Sequence, residues 1–257
     1  MGEERPGEER PHEDAVQDAR TLTRRQFVGG VGVAVASAAG AVAGRALGRP
    51  GGESTRTPRR LAMLIDLDRC VGCQACSVSC KAEHGVRLGG FRSWVSEREV
   101  GRYPSVRRVF LPRLCNHCEH PRCLDVCPTG ATHRRDDGLV GIDKTRCIGC
   151  RHCMAACPYG ARYFNPAASP HEAAFPALTQ GTVDKCDFCA HRIDRGVVPA
   201  CVNTCPAAAR TFGDLSDAAA EVHRRVAEGA ARPLRPEFGT APAVFYVGGG
   251  LDVFEGA

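Results

Sequence analysis

Ile65-Asp66-Leu67-Asp68-Arg69-Cys70-Val71-Gly72-Cys73-Gln74-Ala75-Cys76-Ser77-Val78-Ser79-Cys80 decides how this chain is read. Four cysteines follow a short apolar run, with two, two and three residues between them. The pattern returns as Ile142-Asp143-Lys144-Thr145-Arg146-Cys147-Ile148-Gly149-Cys150, completed by Cys153 and Cys157 and followed by Pro158. Two further sets stretch the middle gap: Cys115, Cys118, Cys123 and Cys127 to four residues, Cys186, Cys189, Cys201 and Cys205 to eleven. They end in Pro128 and Pro206. All sixteen cysteines of the 257-residue chain fall into these four sets. Sixteen thiolates match four cubane [4Fe–4S] clusters, and two of the sets have the spacing of the bacterial ferredoxin run.

A tight loop with two residues between ligands wraps three thiolates over three irons, its backbone N–H groups turned toward sulfur. The fourth cysteine is expected to open a helix and point away, and the proline behind it suits a first turn that needs no N–H. In two-cluster ferredoxins that fourth cysteine ligates the other cluster, so motifs pair in space. Which motifs pair is a topological choice. Exchange between the inner motifs gives Cys115, Cys118, Cys123 with Cys157, and Cys147, Cys150, Cys153 with Cys127. Exchange between the outer ones gives Cys70, Cys73, Cys76 with Cys205, and Cys186, Cys189, Cys201 with Cys80. Two blander readings compete. Disulfide frameworks belong mostly to shorter secreted chains with irregular spacing. Structural zinc uses pairs of C-x2-C, and a third cysteine three residues later crowds a tetrahedral ion.

The repeats extend beyond the ligands. Ile65 to Cys73 and Ile142 to Cys150 each read as a short strand entering a loop, with Gly72 and Gly149 permitting the tight backbone. Cys127-Pro128-Thr129-Gly130-Ala131, Cys157-Pro158-Tyr159-Gly160-Ala161 and Cys205-Pro206-Ala207-Ala208-Ala209 repeat the far ends. β-prone stretches such as Arg162-Tyr163-Phe164 and Arg210-Thr211-Phe212 follow. The expected fold is α+β: two pseudo-symmetric ferredoxin-like units of the bacterial two-cluster type, spanning 61–215. An insertion at about 84–113 carries Phe91, Trp94, Val95, Tyr103 and Val106 among seven arginines. It reads as a strand pair packed on the ferredoxin body, its arginines a solvated or partner-facing surface. Residues 216–257 form a C-terminal helix and tail, with Ser216 as N-cap, Asp217 to Glu228 as helix body and Val244 to Val247 as a further strand. Metal-free chain should fold poorly, because ligation energy is folding energy here.

Residues 1–43 hold Arg24-Arg25 with Phe27 at the right offset, then an uncharged stretch to Gly44. This resembles a twin-arginine export signal, followed by a linker over 44–60. Eleven of the eighteen residues from Phe27 to Gly44 are Gly or Ala, which makes a poor membrane anchor although the length just suffices. Cleavage after Ala43 and retention as a tether both remain open. The twin-arginine route carries folded proteins, so clusters can be inserted in the reducing cytoplasm; an unfolded passenger would bring sixteen bare thiols to an oxidising exterior. The expected location is the periplasm or the outer face of the cytoplasmic membrane. Removing 1–43 leaves 29 basic against 22 acidic residues. Four oxidised centres at about −2 each bring that excess near neutrality. The basic balance therefore does not argue for nucleic acid.

No nucleotide fingerprint, zinc-hydrolase motif or nucleophile motif accompanies the cysteines. Gly248-Gly249-Gly250 reads as flexible tail, and His117 and His152 as residues near sulfur or at the surface instead of ligands. The chain reads as a relay with neither catalytic residues nor a small-molecule substrate of its own. The export signal, the four gaps and the Cys-Pro endings resemble the iron–sulfur subunits of the molybdopterin oxidoreductase family related to dimethyl sulfoxide reductase, over Leu61 to Phe254. Leu111 to Cys118, Gly239-Thr240-Ala241-Pro242 and Val244-Phe245-Tyr246 look most like the tetrathionate reductase branch. The resemblance implies a molybdopterin catalytic subunit facing the Cys70, Cys73, Cys76 cluster. It implies a quinol-oxidising membrane subunit facing the Cys147, Cys150, Cys153 cluster. Some relatives lack cysteine at the position of Cys150 and carry [3Fe–4S] there; this chain departs from them. A hydrogenase relay subunit or another periplasmic reductase (thiosulfate, polysulfide, arsenate or dimethyl sulfoxide type) would share these features. A free-standing polyferredoxin would have little use for the insertion and tail.

Overall fold

The computed structural model describes residues 59–166 and 180–255. The export signal, with Arg24, Arg25 and Phe27, and the linker up to residue 58 lie outside the described residues.

β1 (Leu61–Asp66) is the strand that enters the first cysteine loop, and it is buried on both faces. Met63 and Ile65 point into one apolar cluster with Leu111, Leu114, Phe188 and Tyr246. Ala62 and Leu64 point the other way, against Val222, Ala243 and Val247. Its unbroken apolar run reflects this two-sided burial, which a half-exposed strand with period-two alternation would not show. The partners in its sheet come from the far end of the chain. β8 (Arg210–Asp214) lies antiparallel on one side and β10 (Val244–Val247) parallel on the other, with β9 (Arg232–Pro233) beyond it.

The remaining links between cysteine motifs are antiparallel pairs. β2 (Ser93–Arg102) and β3 (Ser105–Leu114) join the first motif to the second and form the insertion as a strand pair. β4 (Thr132–Arg134) and β5 (Val140–Ile142) join the second to the third. β6 (Arg162–Asn165) and β7 (Thr182–Lys185) join the third to the fourth. The pairing of β8 with β1 returns the fourth motif to the first. Each cysteine loop is thus held by strands on both flanks.

The helices correct one expectation. α1 (Ala75–His84) begins before Cys76, so Cys76 and Cys80 lie four residues apart on one helix face. α2 (Arg122–Asp125), α3 (His152–Ala155) and α5 (Ala200–Asn203) contain the third cysteines Cys123, Cys153 and Cys201 and end before the fourth. Between the last two, α4 (Ala190–Ile193) fills the eleven-residue gap between Cys189 and Cys201. Pro128, Pro158 and Pro206 therefore follow a helix end and do not open a helix. A proline cannot continue the ladder, which makes it a stop there. The stop has one geometry three times, with N–H of Cys127, Cys157 and Cys205 donating to Leu124, Met154 and Val202 carbonyls at 3.1, 3.3 and 3.3 Å.

The C-terminal segment differs from its reading too. α6 spans Glu221–Ala227, with Ala220 as N-cap in place of Ser216. Asp214 and Asp217 carboxylates accept from the N–H groups of Ser216 and Ala219, holding the preceding residues in turns that compete with helix. Beyond β10 a last helix, α7 (Asp252–Glu255), closes the described chain. Gly249 N–H donates to Asp68 at 3.0 Å, so the glycine run is tied to the end of β1. Among the described residues, no helix is long and apolar enough to cross a membrane.

Gly72 and Gly149 have positive φ, 71° and 67°. A Cβ on Gly149 would sit 2.1 Å from the Gly181 carbonyl oxygen, whereas one on Gly72 would meet the Phe110 ring at 2.3 Å. A ring can swing aside and a backbone carbonyl cannot. Gly149→Ala is therefore expected to cost about 1–3 kcal/mol and Gly72→Ala less, measured as thermal midpoints of the cluster-loaded chain. Equal midpoints would show that the carbonyl contact is not limiting.

Candidate iron–sulfur sites

The structure brings the cysteines together in four groups. Cys70, Cys73, Cys76 and Cys205 line one small pocket (site I). Cys127, Cys147, Cys150 and Cys153 line another (site IV). Between them, Cys80, Cys186, Cys189 and Cys201 lie close enough to repel one another as thiolates (site II). Cys115, Cys118, Cys123 and Cys157 do the same (site III). Each group takes three thiols from one motif and one from another.

Their environment suits an anionic inorganic core. All sixteen thiols are unpaired. Burial, with repulsion from neighbouring thiols, pushes Cys80 and Cys118 up to about 12 and Cys189 to about 11. Free thiols there stay protonated, and a metal core is what draws them to thiolates. A tetrahedral ion with bonds of about 2.3 Å needs its sulfurs close together. Among the described residues no group of His, Cys, Asp or Glu converges as a single-ion site. At sites I and IV the thiols stand around a pocket, as ligands at the corners of a larger core would.

Several polar groups aim at sulfur. Backbone N–H of Thr132 donates to Cys127 at 3.4 Å, of Phe188 to Cys186 at 3.4 Å and of Ala209 to Cys205 at 3.3 Å. Two buried arginines do the same. Arg162 Nη2 lies 2.9 Å from Cys123 Sγ and Arg210 Nη2 3.4 Å from Cys76 Sγ. Thr240 bonds Cys118 and also meets Tyr159 Oη at 2.7 Å. Its segment runs along the second motif, Ala243 N–H donating to Asn116 and Glu119 N–H to Ala241. The tail closes the fold around site III.

His84 approaches site II from α1. Arg92 Nη1 is 2.8 Å from His84 Nδ1. A guanidinium only donates, so Nδ1 accepts and the proton resides on Nε2, 3.2 Å from Cys189 Sγ. Burial, with Arg92 beside it, lowers the His84 pKa to about 4 and keeps the ring neutral. Arg92 in turn meets Asp184 at 3.0 Å and Asp187 at 3.1 Å, and Lys144 meets Asp184 at 2.8 Å. Burial alone would raise Asp184, but Arg92 and Lys144 hold it down at about 2. Arg92, expected at a surface, is instead a half-buried tie between the insertion and β7. Arg113 likewise turns inward, donating to the Tyr159 carbonyl at 2.7 Å. Arg102, Arg107 and Arg108 are exposed.

His152 is exposed, whereas His117 is fully buried and stacked on Phe188 at 3.8 Å, accepting from Val140 N–H through Nδ1. It packs between motifs and has no hydrogen bond to sulfur. Spacing alone does not mark His84 or Thr240. A signal for the arginines is present: each stands five residues after the cysteine of a Cys-Pro pair, in Cys157 to Arg162 and in Cys205 to Arg210.

A 4Fe-4S dicluster domain matches residues 106–215 and a 4Fe-4S binding domain matches 61–82. The tetrathionate reductase B subunit of Salmonella typhimurium is 48% identical, over 75% of this chain and 74% of that protein. A putative dimethyl sulfoxide reductase iron–sulfur B subunit of Halobacterium salinarum is 43% identical, over 73% and 78%. The sulfite dehydrogenase B subunit of Allochromatium vinosum is 39% identical, over 73% and 82%. The chain belongs to the iron–sulfur B subunits of the molybdopterin oxidoreductases. Like other members of this family it is an electron-transfer subunit, and it carries four [4Fe–4S] clusters in a ferredoxin-type α+β fold.

Removing one partner of a buried ion pair typically costs about 3–5 kcal/mol. Asp184→Asn is expected to fall in that range, measured by the thermal midpoint of cluster absorbance. An unchanged midpoint would mean that Arg92 and Lys144 find other anions.

Proposed function

We propose that this protein passes electrons one at a time along sites I to IV, between a membrane subunit that oxidises quinol and a molybdopterin catalytic subunit that reduces tetrathionate. One observation carries the reading: neighbouring thiol groups influence one another electrostatically from I through IV, and the outer two have an exposed cysteine. Arg210 lies between I and II, acting on Cys76 and Cys201. Cys186 of II feels Cys115 of III. Arg162 lies between III and IV, acting on Cys123 and Cys153. Cys73 at site I and Cys150 at site IV are exposed, while Cys118 is half-buried and Cys189 buried. Val71 and Ile148, beside those exposed cysteines, are 63% and 66% exposed and supply apolar contact at each end.

In this reading Cys70, Cys73, Cys76 and Cys205 hold the centre facing the catalytic subunit, and Cys127, Cys147, Cys150 and Cys153 the one facing the membrane. Cys80, Cys186, Cys189 and Cys201, and Cys115, Cys118, Cys123 and Cys157, hold the two between. Paired as I with II and III with IV, they make two pseudo-symmetric ferredoxin units. Bound clusters supply one-electron chemistry at potentials set by hydrogen bonds, burial and local charge. The protein's part is to hold the thiolates, bury those of site II and leave the outer two sites open to partners. Export by the twin-arginine route places the complex on the outer face of the cytoplasmic membrane. Tetrathionate rests on the 48% identity to a tetrathionate reductase iron–sulfur chain.

Two tests apply. The large subunit that co-purifies should turn over tetrathionate with reduced viologen; turnover of another oxyanion or sulfur compound instead discards the substrate and keeps the relay. Cys150→Trp should convert one centre to a three-iron form with an EPR signal in the oxidised state. No new signal, at unchanged iron content, contradicts Cys150 as a ligand.

A further inference from the structure

Arg162 and Arg210 occupy equivalent places in two motifs, and both are buried, at 6% and 4% exposure. Each opens the strand that follows a Cys-Pro turn, β6 and β8. Each also lines the cavity of an outer site while reaching its inner neighbour. Arg162 lines site IV together with Cys153 and donates to Cys123 of site III at 2.9 Å. Arg210 lines site I, donates to Cys76 there at 3.4 Å and acts electrostatically on Cys201 of site II.

Their other partners are neutral: Thr132 Oγ1 at 3.2 Å for Arg162, Ser93 Oγ at 3.1 Å and Met63 Sδ at 3.7 Å for Arg210. Among the described residues neither has a carboxylate partner, unlike Arg92 with its two aspartates. A buried cation without a counter-charge is costly. Here the cysteines of two adjacent sites are the groups that can supply it.

We propose that Arg162 and Arg210 are paired positioning residues, each a shared counter-cation that sets the potentials of both centres in its pair. Arg162 serves sites III and IV, and Arg210 serves sites I and II. A positive charge and N–H···S bonds favour the more negative, reduced state, so each arginine raises two potentials together. The inference rests on the four-centre reading, which iron and acid-labile sulfide content tests separately.

The experiment is a potentiometric titration followed by EPR on the cluster-loaded full chain. Arg162→Gln should lower the potentials of two centres and leave the other two at their original values. Arg210→Gln should lower the complementary two. Arg162→Lys and Arg210→Lys keep the charge but lose the planar fork, and should restore part of the shift in the same pair. A shift in one centre only, in all four equally, or in none with iron content intact would overturn the proposal. If a glutamine variant loses clusters, loss of one pair with the other intact supports it, and loss of a single centre or of all four overturns it.

Discussion

Every group of converging thiols draws three members from one loop and the fourth from a distant segment, and the architecture follows from delivering that fourth thiol. In α1 the delivery is a helix property: Cys76 and Cys80 are one turn apart on one face, about 6 Å along the axis. One serves site I and the next reaches site II. In the other three motifs a single helical turn carries the third cysteine and a stop at the Cys-Pro pair sets the fourth. Cys205 must come back beside Cys70, which is why β8 lies against β1. The three-residue gap before the last cysteine is shared by all four motifs.

Such a fold has little interior left for ordinary packing. The apolar cluster around Met63, Ile65 and Phe188 is continuous with Cys76, Cys115, Cys186 and Cys201, so ligand loops and core are one structure. Polar groups beneath that surface are charged and paired instead of absent. Arg92, Lys144, Asp184 and Asp187 tie the insertion, the third motif and the fourth motif together where a larger protein would use more hydrophobic contact. The energy that closes the molecule is accordingly shared between ligation and these ion pairs around the buried Asp184.

The elements that repeat were legible in the sequence. Ile65 to Cys73 and Ile142 to Cys150 announce strand and loop, the Phe91 to Val106 stretch announces a strand pair, and Val244 to Val247 a strand. Helix ends were not, because side chains decide them locally: Asp214 and Asp217 capture backbone N–H groups and delay α6 to Glu221. The role of the tail was illegible for a different reason. Its place beside β1 is a pairing between residues almost two hundred positions apart, which spacing within a motif cannot encode. Arg92 looked like one solvated arginine among seven, since its partners Asp184 and Asp187 lie in another motif. Neither His84 nor Thr240 belongs to a cysteine motif, so their approach to sulfur becomes visible only once the sites are assembled.

Sixteen thiols that hold four cubane centres and nothing else fix a metal stoichiometry. Iron and acid-labile sulfide, determined per folded chain after anaerobic purification, test it most directly. Sixteen of each are expected, one per cysteine, with no zinc. Iron well below that number in fully folded protein, or zinc without labile sulfide, would contradict it.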